Sequence, residues 1–175
     1  LARSHVLETP HPLVWIVQRA KPVRIEAVAR QFVTGSMWRA YEKGERNFCG
    51  IFLPDKLEKN QRLPEVVFTP STKGLVRGLA GIAEVDDAGV TREQLNRFWR
   101  EFGFRQVCDV DQYENLLREG FDLISSEMER AGLILVDTKF EFGYAKRPDG
   151  TEELIYMDEV GTPDSSRIWD GDAYY

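Results

Sequence analysis

With 175 residues, 42% hydrophobic and 30% charged side chains, the chain has the balance of one soluble globular domain with a real core. Its apolar runs fall far below the ~20 residues that span a bilayer, and no charged-then-apolar leader is seen, so a cytoplasmic protein with no membrane partner is expected. The formal charge of −6 argues against a nucleic-acid surface, and two cysteines, Cys49 and Cys108, set far apart beside only two histidines, argue against structural zinc; both read as packing residues.

Residues 1–12 are poorly patterned and hold His5 and His11; they read as an arm whose histidines are solvated. Leu13 to Val17 is a short β-like run, broken by Gln18 to Pro22. Alternation from Val23 to Arg30 predicts a strand with Val23, Ile25, Ala27 and Ala29 on one face and Arg24, Glu26, Val28 and Arg30 on the other. Thr34-Gly35-Ser36 then precedes a short helix over Met37 to Lys43, closed by Gly44, so Thr34 or Ser36 is its natural cap. Capping alone accounts for these residues, but with Arg30 upstream the same helix start could also hold an anion.

Asn47 to Ser71 reads as a mostly irregular connection that leads into Thr69-Pro70-Ser71-Thr72-Lys73. Thr91 to Phe102 is a helix, with Thr91 and Gln94 as a capping box, Leu95, Phe98 and Trp99 as its apolar stripe and Gly103 as its stop. Asp111 to Arg130 is a longer helix with Asp111 and Glu114 as its box, an inward face of Leu117, Phe121, Ile124 and Met128, and Gly132 as terminator.

Leu133 to Gly143 alternates again, with Ile134, Val136, Thr138, Phe140 and Phe142 on a core face and Asp137, Lys139 and Glu141 on the other. Pro148-Asp149-Gly150 is turn material and Leu154 to Met157 resumes the apolar run, so a β-hairpin is predicted whose core face the longer helix covers. Folding it about the Asp149–Gly150 bond pairs Phe142 with Met157 and Tyr144 with Ile155, and sets Glu141 opposite Asp158. Two carboxylates at cross-strand spacing repel, and a divalent cation such as Mg²⁺ would remove the repulsion. On the residues alone, a solvated strand face with a salt bridge is the favoured reading of Asp137, Lys139 and Glu141. Pro163 after Thr162 predicts a short helical turn, so N–H groups around Ser165 and Ser166 with Arg167 would form a second anion site, able to converge with the first on one phosphate. Residues 169–175 read as a polar tail. The fold class is α+β, an antiparallel sheet packed with helices.

Three stretches, VRIEAVARQFVTGS at Val23 to Ser36, DTKFEFG at Asp137 to Gly143 and DEVGTPDSSRIWDG at Asp158 to Gly171, resemble in order the signatures of the phosphoribosylaminoimidazole-succinocarboxamide (SAICAR) synthetases. The resemblance implies a SAICAR synthase-like fold related to two-lobed ATP-grasp and kinase-like architectures. It also implies an ATP-dependent ligase of purine biosynthesis, which joins L-aspartate to the carboxylate of 5-aminoimidazole-4-carboxylate ribotide (CAIR) through an acyl phosphate, giving SAICAR, ADP and phosphate. By the same resemblance Arg30, Ser36 and Arg167 hold the ribotide 5′-phosphate, Asp164 and Ser165 orient the ribose or base, and Lys73 meets a substrate carboxylate, unless it is simply a surface lysine in a polar turn. Lys139 would pair with substrate carboxylate or phosphate and Asp137 would accept from the imidazole amino group. Glu141 and Asp158 would hold Mg²⁺ beside ATP.

No Gly-rich loop with a phosphate lysine precedes Leu13, and members of the family carry such a loop in an ATP-binding lobe. The expectation is therefore a fragment. Residues 1–22 would be an arm and hinge to that lobe, with Gln18 to Pro22 meeting adenine through backbone groups, and 23–175 a substrate- and metal-binding domain inactive by itself. After Lys73 the sequence GLVRGLAGIAEVDDAG departs from the acidic, Gly- and His-containing stretch of many members, so no contacts are carried over there. Two rivals stand beside the ligase: a non-catalytic phosphosugar-binding or oligomerisation module, and a small-molecule kinase. Homo-oligomerisation is left open.

Overall fold

A computed structural model describes residues 3–175. The elements are β1 (Val6–His11), β2 (Val14–Val17), β3 (Lys21–Phe32), α1 (Gly35–Glu42), β4 (Asn47–Phe48), β5 (Ile51–Phe52), β6 (Arg62–Phe68), β7 (Ser71–Thr72), α2 (Arg92–Arg97), α3 (Asp109–Arg130), β8 (Leu133–Lys146), β9 (Glu152–Met157), β10 (Ser166–Asp170) and α4 (Gly171–Tyr174). The principal sheet has six strands in the order β10-β8-β3-β6, with β7 also on β3 and β9 also on β8, all antiparallel. This is the α+β architecture the patterning predicts.

The apolar face of β3 is buried at Val23, Ile25, Ala27 and Ala29, and α3 lays Tyr113, Leu117 and Phe121 over it together with Phe140 and Phe142 of β8. Ile124 and Met128 continue the inward stripe of α3, partly buried. The helix comes close to the sheet at Gly120, where an added Cβ would lie 2.8 Å from Phe140 Cε2 and 2.8 Å from Tyr156 Oη. Glycine costs a helix interior about 1 kcal/mol relative to alanine, so the sequence gives up helix propensity here for proximity. Gly120→Ala is expected to lower stability by ~1–3 kcal/mol in denaturant unfolding, although alanine is the better helix former, because two well-packed rings have to move.

The helix boundaries differ from the pattern for identifiable reasons. The capping box of Thr91 and Gln94 is formed, but regular helix stops at Arg97 and Phe98 to Gly103 continue as turns. The longer helix begins at Asp109, two residues before the predicted start, because the Asp109 carboxylate accepts from the backbone N–H groups of Arg105 and Gln106 and from the Tyr144 hydroxyl at 2.5 Å. Asp111 and Glu114 form no capping box; both pair with Arg92 at the start of α2. Thr34 holds the cap position of α1 without capping it, since its hydroxyl bonds to Asn60 at 2.9 Å.

Three stretches read as irregular are ordered. The supposed arm contains β1, which pairs with the expected β-like run, β2, as a hairpin, and the chain just before it is pinned to β9 by His5 N–H donating to the Tyr156 carbonyl at 2.9 Å. His11 accepts the Leu13 N–H at Nδ1, while His5 is half-buried, which lowers its pKa. Arg62 to Phe68, inside the predicted irregular connection, pairs with β3 as an edge strand, a position that tolerates Pro64. The supposed polar tail is β10 and α4, where Trp169 and Tyr174 pack edge-on against Phe32 at 5.1 and 5.4 Å.

Candidate functional site

The polar face of the sheet opens opposite α3, and the strand register decides which charges meet there. Across β3 and β8, Glu26 pairs with Glu141, Val28 with Lys139 and Arg30 with Asp137; across β8 and β10, Asp137 pairs with Arg167. One row therefore runs Arg30, Asp137, Arg167 over three strands. Both guanidinium groups lie 3.1 Å from the same oxygen, Asp137 Oδ2, Arg30 as a hydrogen-bond donor and Arg167 as an ion pair. Arg30 also donates to Thr69 Oγ1 at 2.8 Å and, more distantly, to Ser36 Oγ at 3.4 Å. Burial pulls the pKa of Arg30 down and Arg167 adds to this, with Asp137 opposing. A guanidinium stays charged through such a shift, so two cations sharing one carboxylate leave an uncompensated positive end with free N–H donors.

Beyond the Val28–Lys139 pair, two carboxylates meet. Glu26 and Glu141 are like charges directly across a strand pair, and each takes a lysine: Lys139 donates to Glu26 at 3.0 Å, and Lys73, delivered by the turn after β7, pairs with Glu141. The Glu26 bond, chiefly, raises the pKa of Lys139. Glu141 thus faces a carboxylate across a strand pair, but it is Glu26 of β3 and not the Asp158 expected in the β8–β9 hairpin.

The hairpin register itself is one residue off the prediction. Glu141 pairs with Met157, Phe142 with Tyr156 and Tyr144 with Leu154. The turn is centred on Asp149, whose carboxylate accepts from the Thr151 N–H at 2.9 Å and its hydroxyl at 2.6 Å, and a shift of centre by half a residue slips every pair by one. Asp158 falls just beyond β9, exposed and in a left-handed conformation (φ 59°), so it adjoins the Glu141 pair without facing it in the ladder. A second irregularity lies at Val136. Arg167 pairs with Asp137 but Ile168 pairs with Leu135, so Val136 is an extra, bulged residue, and Leu135 takes the place in the main core that strict alternation gives Val136.

The stretch before Arg167 is a turn closed by Ser165 N–H donating to the Thr162 carbonyl at 3.1 Å, and Ser166 already belongs to β10. The expected short turn after Pro163 is thus present but goes no further, and the Ser165 N–H is used within it, because the chain pairs with β8 at once: the Ser165 carbonyl accepts from the Lys139 N–H at 2.9 Å, and the Ser166 and Thr138 hydroxyls lie 2.8 Å apart. Arg167 is accordingly presented by a strand.

A cleft of about 610 Å³ lies over this face, and Arg30, Ser36, Asp137, Lys139, Ser165 and Arg167 all line it. Six predicted residues thus meet in one place. Lys73 and Glu141 adjoin it through the row of Glu26, while Asp164 is exposed in the turn and, like Asp158, does not line the cleft. Sequence reading passed over Glu26, Thr69, Asp87 and Gly35. Glu26 had a signal, since it shares the alternating face of Arg30. Gly35 had none: its φ of 58° and the Arg167 guanidinium, which occupies the space of a Cβ, both require glycine.

Comparison with known proteins places this geometry. The family model described as SAICAR synthetase matches residues 2–175. The phosphoribosylaminoimidazole-succinocarboxamide synthase of Saccharophagus degradans is 61% identical over 174 residues, covering 99% of this chain and 47% of that protein. The SAICAR synthase of Saccharomyces cerevisiae, solved with SAICAR bound, superposes with a TM-score of 0.67 at 32% identity, covering 92% of this chain and 46% of that one. A SAICAR synthetase solved with ADP has the same fold, with a TM-score of 0.69 at 20% identity over 98% of this chain and 60% of that one. The chain spans about half the length of the curated relatives it matches.

Proposed function

This chain belongs to the SAICAR synthetase family, and from that membership we propose that the complete protein joins L-aspartate to CAIR at the expense of ATP, giving SAICAR, ADP and phosphate. The observation that carries the reading is the convergence of Arg30 and Arg167 on Asp137 Oδ2, beside Ser36, at one end of the cleft. A phosphate monoester fits there, because it accepts the guanidinium N–H groups that Asp137 leaves free, and bidentate geometry suits it. The ribotide phosphate is anchored at this end. Its base then extends along the sheet toward Lys139 and the Glu26–Glu141 row, with Ser165 at the wall to orient the ribose or base, a role that Asp164, outside the lining, would share only by turning inward.

A carboxylate does not react usefully with an amine, so its activation as an acyl phosphate is the step the other end has to support. Lys139 lines the cleft between Asp137 and Glu141, and its ammonium can pair with the substrate carboxylate or the transferring phosphoryl group. Asp137 has a second carboxylate oxygen to accept from the imidazole amino group. The chemistry near Glu141 suits a hard cation, because Glu141 is buried opposite a second carboxylate, Glu26, while Asp158 follows its hairpin partner Met157 without facing it. Two carboxylates with remaining positions left to water and phosphate oxygens are what Mg²⁺ takes in nucleotide enzymes, and when bound it would neutralise phosphoryl charge. Lys73, paired with Glu141 and 42% exposed, is placed to meet a substrate carboxylate.

The β1–β2 hairpin, a separate two-stranded sheet with Leu13, Val14, Trp15, Ile16 and Val17 exposed, supports reading residues 1–22 as arm and hinge to an ATP lobe and 23–175 as the substrate and metal domain. Among the described residues no helix is long and apolar enough to cross a membrane. The deciding experiment is ADP release by the complete protein with CAIR and Mg-ATP. Release that depends on L-aspartate and yields SAICAR is expected. Release independent of aspartate with a phosphorylated product would identify a kinase, and binding without release would identify a binding module.

A further inference from the structure

The amine that attacks the acyl phosphate enters the site as an ammonium ion, and an ammonium ion is not a nucleophile. Something has to hold it and take a proton. Of the carboxylates on the cleft wall, Asp137 carries two guanidinium groups and Glu26 carries Lys139, and Glu141 just beyond is paired with Lys73. Each is already committed to a cation. Asp87 also lines the cleft, and among the described residues its side chain enters no ion pair or side-chain hydrogen bond. It stands in a turn near the end of the departing stretch, with φ 55°, just before Ala88, whose N–H is fixed to Thr72 Oγ1 at 3.1 Å.

We infer that Asp87 receives the ammonium group of the incoming amino acid and accepts its proton, which makes it a catalytic residue of the ligation step. The inference rests on the acyl-phosphate reading above. Asp87 takes one proton from the –NH₃⁺ group, and the freed lone pair attacks the acyl carbon. The C–N bond forms, the acyl C–O bond breaks, and phosphate departs with that electron pair and the second nitrogen proton. The charged groups facing Asp87 are Glu26, Asp86 and Lys139; partial burial and the two carboxylates raise its pKa against the opposing lysine. That direction improves a base whose task is to take a proton from an amine near neutral pH.

Asp87→Asn tests the step without disturbing the loop, because asparagine has the same shape and tolerates a left-handed backbone. In the complete enzyme with CAIR and Mg-ATP, kcat/KM for aspartate is expected to fall ~10²–10⁴-fold, the usual contribution of a positioned base. Hydroxylamine, largely unprotonated at neutral pH, should still capture the acyl phosphate in the variant at close to the wild-type rate. The rate with aspartate should then recover as pH rises and free amine accumulates. Unchanged aspartate kinetics in the variant overturn the inference, and so does an equal loss with aspartate and hydroxylamine, which would make Asp87 a structural partner of Lys139. If the unmodified enzyme forms no hydroxamate from CAIR and ATP, the acyl-phosphate reading itself fails instead.

Discussion

Glu141→Gln in the complete enzyme is expected to lower turnover by ~10²–10³-fold, the range seen when one preorganised electrostatic group is removed from a site, while leaving the fold intact. Its side chain is buried, but its partner Lys73 is 42% exposed, so loss of the charge returns that ammonium to water at a cost of less than about 1 kcal/mol. The substitution also removes the cross-strand repulsion between Glu141 and Glu26, which offsets part of this cost. The loss should therefore show in kcat with the unfolding midpoint nearly unchanged, and should steepen when Mg²⁺ is limiting. Wild-type turnover would remove Glu141 from the metal and phosphoryl end of the site. A large drop in stability would show instead that the ion pair with Lys73 is a structural element.

The parts of this site legible in the sequence are those that period-two alternation encodes. The polar face of β3 and that of β8 were each read correctly, and because antiparallel strands align such faces, Arg30, Asp137 and Lys139 had to meet once β3 paired with β8. That pairing itself is not local information. The two strands are separated by α1, β6, α2 and α3, and nothing in either run names its neighbour, so Glu26 was left without a role although it faces Glu141. The failures come from single-residue insertions. The odd-length turn centred on Asp149 moved Asp158 off Glu141, and the bulge at Val136 exchanged it with Leu135 in the core. Each is a matter of one residue in a loop or strand, below what apolar periodicity resolves. Ser165 and Arg167 reach the cleft although the turn after Pro163 ends at Ser165, because β10 pairs Arg167 with Asp137 and aims it at the same place.

Arg167→Lys is expected to raise the dissociation constant for CAIR by ~10–100-fold, since hydrogen bonds to charged groups contribute about 1.5–3 kcal/mol and each 1.4 kcal/mol is tenfold in affinity. Lysine keeps the charge but offers a point donor where the guanidinium spans Asp137 and the phosphate together. Arg167 is 45% exposed, so its loss should spare the fold; Arg30, whose side chain is only 14% exposed and which also holds Thr69, would lose stability as well on the same change. The dephosphorylated nucleoside provides the control, because its affinity should not change in Arg167→Lys if the guanidinium serves the 5′-phosphate. Gly35→Ala gives an independent approach to the same contact: its Cβ would occupy the position of the Arg167 guanidinium, and the left-handed backbone there strains alanine too. It should weaken CAIR binding in the same direction although Gly35 itself carries no charge. Unchanged CAIR affinity in Arg167→Lys, or an equal loss for ribotide and nucleoside, would place the phosphate elsewhere and leave the Arg30–Asp137–Arg167 row as a strap joining β10 to the sheet.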